Sequence, residues 1–315
     1  MNFIFSKEVK RHKQENLPIL ALESTILSHG MPYPENYDFA KTVEKNCREM
    51  GVAPATIAIL DGNVYVGLTD KALKRVCRSK NILKISKRDL PFALAHKQNG
   101  ATTVSATAWI AFKAGVSVFS TGGIGGVHRN AEYYLDVSQD LKTLSETPII
   151  TVSVGAKAIL DLPKTVESLE TLGVPIVGYK TDFFPAFYTR SSGIKLDNIV
   201  KTEKQTALLY LEHLNIGLPS SLFVVNPISK ENEIPKEKIE FFISEALVEA
   251  KKQKISGKEL TPFLLENITR KTKGESLRAN ISLAKDNINL GAKIAQELSL
   301  CVNMTTNQSL EQQLL

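Results

Sequence analysis

The chain has 315 residues, 43% of them hydrophobic and 23% charged, which is enough for a core that needs no disulfides. Its net charge of +6 comes from 39 basic and 33 acidic residues spread over mixed-sign stretches, not the clustered, aromatic-interleaved strip of a nucleic-acid binder. No apolar run approaches the roughly 20 residues of a membrane span, and three cysteines (Cys47, Cys77, Cys301) without metal or redox spacing argue for a reducing, cytoplasmic setting.

Met1–Gln14 is short, basic and mixed in polarity, without a signal-peptide pattern. Pro18–Ile26 is an apolar run suited to a buried strand, and its Glu23 is costly there unless paired or hydrogen-bonded. After a turn at Ser28–Pro34, with His29 close to Glu23, the stripe Ala40, Val43, Cys47, Met50 predicts a helix over 35–50 stopped by Gly51. Thr56–Leu60 and Val64–Leu68 flank Asp61-Gly62-Asn63, a hairpin signal. Thr69 caps a short helix to Arg78. Ile82–Ser86 reads as a strand carrying Lys84, and a helix runs from Asp89 to about Gly100. Ala101–Val104 reads as a short strand and Ser105–Gly115 as a small-residue helix.

The strand Val116–Ser120 then meets Thr121-Gly122-Gly123-Ile124-Gly125-Gly126. Glycines let backbone N–H groups approach a ligand closely, and such a turn at a strand's end is where α/β sheets bind ligands. His128 and Arg129 offer cations for an anion. Asp136 and Asp140 flank Ser138; on a helix their spacing puts both carboxylates on one face. That pair suits magnesium or manganese better than zinc; alternatively Asp136 is a helix N-cap and nothing more.

Ile149–Ser153 is a further strand, followed by Gly155-Ala156-Lys157. A free lysine amine, with a pKa of about 10.4, is almost wholly protonated at pH 7. A nucleophilic Lys157 therefore needs burial or a neighbouring cation, for which Lys84 is the candidate. The other reading is a structural cation paired with an acid. Thr165–Gly173, Pro175–Tyr179, Glu203–Leu214 and Leu222–Asn226 continue the alternation. The last third is helical over 236–252, 261–273 and 275–298, with a polar, frayed tail from Asn303 to Leu315. Alternating strands and helices predict one α/β domain over 1–302, a largely parallel sheet covered on both faces.

The motifs ALESTILSHGMPYPEN (21–36), KRDLPF (87–92), STGGIGGVHR (120–129), GAKAILD (155–161), FPAFY (184–188), NPI (226–228), GKELTPFLL (257–265) and SLRANISL (276–283) together resemble the pseudouridine-5′-phosphate glycosidase, or indigoidine synthase A, family. The resemblance spans about 18–297. It implies a three-layer α/β/α sandwich assembled as a homotrimer or larger homo-oligomer. It also implies a manganese-dependent enzyme, with magnesium or another divalent ion as an alternative, that splits the C–C glycosidic bond of pseudouridine 5′-phosphate reversibly. Carried over by position, Lys157 is the covalent lysine, Glu23 the proton donor and Asp136 the metal ligand. Lys84, Val104 and Ser138-Gln139-Asp140 bind substrate, with Asp140 also linked to proton transfer. Thr103 and Asn280 line the site, and His128 neighbours the metal. Gln139 stands where the family has a small residue, and Asn130 where glycine is usual. The rival expectations are another Schiff-base phosphosugar lyase and a non-catalytic binder of nucleosides or RNA.

Overall fold

In the computed structural model, which describes residues 2–129, 136–255 and 257–313, the chain begins β1 (Phe3–Phe5), α1 (Lys7–Gln14), β2 (Ile19–Leu22), α2 (Thr25–His29) and α3 (Glu35–Glu49). It continues β3 (Ala53–Leu60), β4 (Asn63–Val66), α4 (Asp70–Arg78), β5 (Leu83–Ile85), α5 (Leu90–Ala95), β6 (Gly100–Thr102), α6 (Val104–Lys113) and β7 (Val118–Ser120). Then come α7 (Gln139–Leu144), β8 (Ile150–Ser153), α8 (Leu162–Thr171), β9 (Ile176–Tyr179), β10 (Ile199–Val200), α9 (Glu203–Asn215) and β11 (Leu222–Val225). Three helices finish it: α10 (Lys236–Lys252), α11 (Leu260–Lys271) and α12 (Glu275–Gln313).

Among the described residues the strands lie in the order β1-β4-β3-β2-β7-β8-β11-β9-β10, with β6 on β3 and β5 on β6. Neighbours are parallel except at β3–β4 and β3–β6. All eight residues of β3 and all four of β8 and β11 are buried, as expected of strands covered on both faces. Helices α3 and α12 pack together on the sheet, and α6 packs on β2 and β7 with α7 against it. The three-layer α/β/α expectation is met. The chain leaves β2 toward β3 but leaves β7 toward β8, so the carboxyl ends of these adjacent strands form a switch point, the usual ligand crevice of open α/β sheets.

Several local expectations change. β2 stops at Leu22, and Thr25–His29 is helical where the strand was extended to Ile26. There the Ser24 hydroxyl donates to the Ile57 carbonyl (2.6 Å), diverting the chain from the ladder. β1 and α1 arise from a stretch with no strand signal, anchored when Phe3–Phe5 pairs with β4. α12 runs on through Gln313, into the stretch expected to be a frayed tail. No helix among the described residues is long and apolar enough to cross a membrane.

Candidate active site

The glycine loop leaves β7 and zips to the segment after β8. Thr121 N–H donates to Val152 O (3.0 Å), Val154 N–H to Gly122 O (3.0 Å), Ile124 N–H to Gly155 O (3.0 Å), and Lys157 N–H to Ile124 O (3.1 Å). The β7–β8 pairing thus continues past both strand ends and carries Lys157 alongside the loop. Glycine is required by close approach: a Cβ on Gly123 would lie 2.6 Å from the Phe187 ring, and one on Gly125 2.3 Å from Ser138 Oγ.

Lys157 Nζ donates to the Gly123 carbonyl at 2.7 Å. Glu23, at the end of β2, accepts from Thr121 Oγ1 at 2.5 Å. Burial pushes the Glu23 carboxyl above the ordinary glutamate range, with Asp140 adding to the rise, against the opposing pull of Lys157, the Thr121 hydroxyl and Lys84. Burial, and after it the same two lysines, lowers the proton affinity of His128 against the opposing pull of Asp136. Burial first, then Lys84, also keeps His29 below the usual histidine range. Glu23, Lys157, Lys84, Asp140, Asp136, His128 and His29 therefore share one electrostatic neighbourhood. They line an open cleft of about 1290 Å³, together with Thr103, Val104, Ser138, Gln139 and Asn280.

Asp136 and Asp140 do not share a helix face. Val137 bridges to Val127, Ser138 is the N-cap, and α7 starts only at Gln139, so Asp136 is neither helical nor the cap. Ser138 N–H is held by Gly126 O (2.9 Å), which keeps this segment extended. Asp140 is buried. Its Oδ1 accepts from Ser105 N–H (2.9 Å) at the start of α6, and its Oδ2 from Gly125 N–H (2.8 Å) in the loop. It serves as the cap that Thr103, whose side chain makes no capping bond, does not supply to α6. The Gln139 side chain accepts from Arg88 N–H (3.1 Å). Asn130 lies outside the described residues. Arg129 is spent on structure, correcting its reading as an anion binder: its guanidinium grips Glu240 (2.8 and 2.9 Å) and the Ala158 carbonyl (2.9 Å).

Asn287 was not singled out from sequence. Fully buried on α12, its Nδ2 donates to the carbonyls of Thr121 (2.9 Å) and Gly122 (3.1 Å), and its Oδ1 accepts from Asn226 Nδ2 (3.1 Å). The long helix thereby fixes the two peptides before Gly123. A signal existed: Asn280, Ala284, Asn287 and Gly291 form one stripe, with a polar residue where an apolar one is expected. Gly291 lets α12 approach, since a Cβ there would lie 3.0 Å from Leu20 Cδ1 and 3.2 Å from Ser120 Cβ.

Among the described residues no three His, Cys, Asp or Glu side chains gather as a metal cage. The three cysteines are buried and free, and burial pushes the thiols of Cys47 and Cys77 up to about 12, which leaves them inert.

The sequence profile of the "Indigoidine synthase A like protein" family matches residues 8–297. A pseudouridine-5′-phosphate glycosidase of Petrotoga mobilis is 53% identical over 294 residues, covering 93% of this chain and 96% of that protein. One of Staphylococcus aureus is 50% identical over 291 residues, covering 92% and 95%. The crystal structure of the prealnumycin C-glycosynthase AlnA in complex with ribulose 5-phosphate superposes with a TM-score of 0.89 at 35% identity, over 96% of this chain and 98% of that one. An indigoidine synthase A-like protein from Thermotoga maritima gives 0.86 at 34% identity, over 94% and 96%. With nearly its whole length matched in both sequence and backbone, the chain belongs to the indigoidine synthase A-like family.

Proposed function

We propose that this protein is a pseudouridine-5′-phosphate glycosidase, cleaving the C–C glycosidic bond of pseudouridine 5′-phosphate to uracil and ribose 5-phosphate, reversibly. The observation that carries the reading is a lysine and a glutamate of raised proton affinity drawn to one glycine loop, Lys157 on Gly123 O and Glu23 on Thr121 Oγ1. The names borne by relatives of about half-identical sequence support it.

A carbon-linked base cannot leave by protonation of a heteroatom, so the sugar must first open and its anomeric carbon gain a lone-pair donor that replaces the bond to the base. In this reading Lys157, as the free amine, attacks the anomeric carbon while Glu23 gives its proton to the ring oxygen; the ring C–O bond breaks as the C–N bond forms, leaving an open-chain amine still bonded to uracil. Once that nitrogen has lost its proton to Glu23, C5 of uracil takes a proton through Glu23 or a water held near Asp140, the glycosidic C–C electrons pass to uracil, and the nitrogen lone pair forms the iminium at the anomeric carbon. Water releases ribose 5-phosphate and restores the amine. Positioned acid–base help of this kind is worth about 10²–10⁴-fold.

Lys84 and the backbone around Ser138 would hold the phosphate, with Thr103, Val104 and Asn280 lining the sugar and base. Gln139, turned to Arg88, is compatible with phosphate binding by the Ser138–Asp140 backbone. Asp136 supplies a hard oxygen donor at a cleft wide enough for water ligands, a donor set that fits manganese or magnesium held largely through water. Bound there, the ion would supply charge that orders water and substrate. A homotrimer in the cytoplasm goes with this reading, and light scattering checks the assembly.

The test is uracil release from pseudouridine 5′-phosphate, with and without chelator. Release that chelation suppresses is expected; no uracil from metal-loaded protein sinks the reading. Another Schiff-base phosphosugar lyase would still be trapped by borohydride at Lys157 but would release no uracil.

A further inference from the structure

Phe187, in the segment between β9 and β10, lines the cleft although only 2% of it is exposed, and it has no part in the chemistry above. Its backbone lies at φ 66°, in the left-handed region, where a bulky residue is rare. Tyr188 N–H donates to Ala186 O (2.9 Å) across it, closing a tight turn in its less common, strained form. Glycine or asparagine would take this conformation with less strain.

The surrounding chain holds the turn in place. Ala186 N–H donates to Thr189 O (2.9 Å), Ile234 N–H to Tyr188 O (2.9 Å), and Thr189 Oγ1 to Ile234 O (3.1 Å). Strain fixed by its surroundings in this way clusters at ligand and catalytic sites. Here it sets the ring against the glycine loop. A Cβ on Gly123 would meet the Phe187 ring at 2.6 and 2.8 Å, and one on Gly155 would meet the Phe184 ring at 3.0 Å. Phe184 and Phe187 therefore seat on two glycines of the zipper, one beyond β8 and one beyond β7. The Gly123 carbonyl is the acceptor of Lys157 Nζ (2.7 Å), so the Phe187 ring bears on the peptide that holds the amine. Asn287 stops one peptide short of it, at the carbonyls of Thr121 and Gly122.

We propose that Phe187 is a positioning residue for Lys157. Its ring clamps Gly123 so that the carbonyl keeps its place against the amine, and it fills the side of the cleft through which water would otherwise reach that pair. The inference rests on the role given to Lys157 in the proposed function. The ring stands where the backbone alone favours glycine, and its contact with Gly123 offsets the strain of the turn.

A double-mutant cycle tests the clamp. Gly123→Ala drives a methyl into the ring and is expected to lower kcat at least roughly 100-fold, because a reacting group displaced by about 1 Å loses rate on that order. Phe187→Ala leaves the peptide loose and is expected to lower kcat roughly 10- to 100-fold with KM nearly unchanged. In the double variant the methyl takes the space the ring vacated, so kcat is expected to recover roughly 10-fold over Gly123→Ala alone. Phe187→Leu, which keeps most of the buried volume, is expected to retain more of the rate than Phe187→Ala. Losses that multiply in the double variant overturn the clamp, as does a raised KM at wild-type kcat, which would make the ring a substrate contact. Acetylation of Lys157 by acetic anhydride, read by peptide mass mapping, tests the same contact without turnover. Labelling several-fold faster in folded Phe187→Leu protein than in wild type supports the clamp, and equal labelling removes it. If the wild type releases no uracil the proposed function fails, while this labelling still decides whether the ring holds the amine in place.

Discussion

Two carboxylates, one at the start of α4 and one at the end of β2, have opposite fates. Asp70, the first residue of α4, is half exposed and receives Tyr37 Oη (2.5 Å), Lys41 Nζ (3.0 Å) and Lys74 Nζ (3.0 Å). Its proton affinity falls well below the carboxylate range, the Tyr37 hydrogen bond leading and both lysines adding to it. Glu23 also has a hydroxyl donor and two lysines in reach, yet its proton affinity rises, because burial outweighs them. The count of partners does not decide the state of an acid; access to water does. The surface cluster ties α3 to α4 in a solvent that screens it, whereas the crevice raises the proton affinity of its acid.

The sharpest way to break this contrast is Lys157→Ala. Uracil release is expected to drop by at least about 10³-fold, with thermal unfolding close to wild type; near-normal turnover removes the covalent role. Glu23→Gln comes next, at about 10²–10⁴-fold in kcat. Its pH dependence has a fixed sign. Glu23 in the fold keeps a proton that the unfolded chain releases in the ordinary glutamate range, so its contribution to stability is complete below that range and is lost as pH rises through the raised value. Wild-type turnover should fall over the same rise, and denaturant titrations from acid to alkaline pH should show a shallower loss of stability in Glu23→Gln. A parallel loss in both proteins would show that Glu23 ionises as a surface acid does.

Asn287→Ala is expected to lower kcat roughly 10- to 100-fold with a small change in KM, since the glycine loop loses its anchor and a shift of about 1 Å in a reacting group costs on that order. Unchanged kcat would mean that the β7–β8 zipper sets the loop alone. Asp70→Asn is the smallest effect: turnover and its pH profile should match wild type. A change in either would show that the surface cluster reaches the site.

Most of the scaffold was legible because its signals are local. Asp61-Gly62 turns the β3–β4 hairpin with both residues at positive φ, 49° and 72°. Thr69 caps α4 through Ala72 N–H, and α10 keeps the bounds read from periodicity. The glycine loop and Lys157 were legible because glycine runs and strand-end lysines have few packing explanations. What stayed hidden depends on contacts distant in sequence. β1 exists only because β4 offers an edge, and Asp136 leaves the helix because Gly126 holds Ser138. Arg129 looked available for an anion until Glu240, 111 residues later, claimed it. Asn287 lies 166 residues from the carbonyl it fixes, and no spacing rule connects them.

That last distance bears on biosynthesis. The helix Glu275–Gln313 lines the crevice with Asn280 and secures Thr121 and Gly122 with Asn287, so the glycine loop is completed by a residue that leaves the ribosome 166 positions after Thr121. A chain ending before Glu275 should translate its central strands yet lack a settled loop. Limited proteolysis of such a truncated chain would report this as cleavage between 121 and 127 that the full-length protein resists.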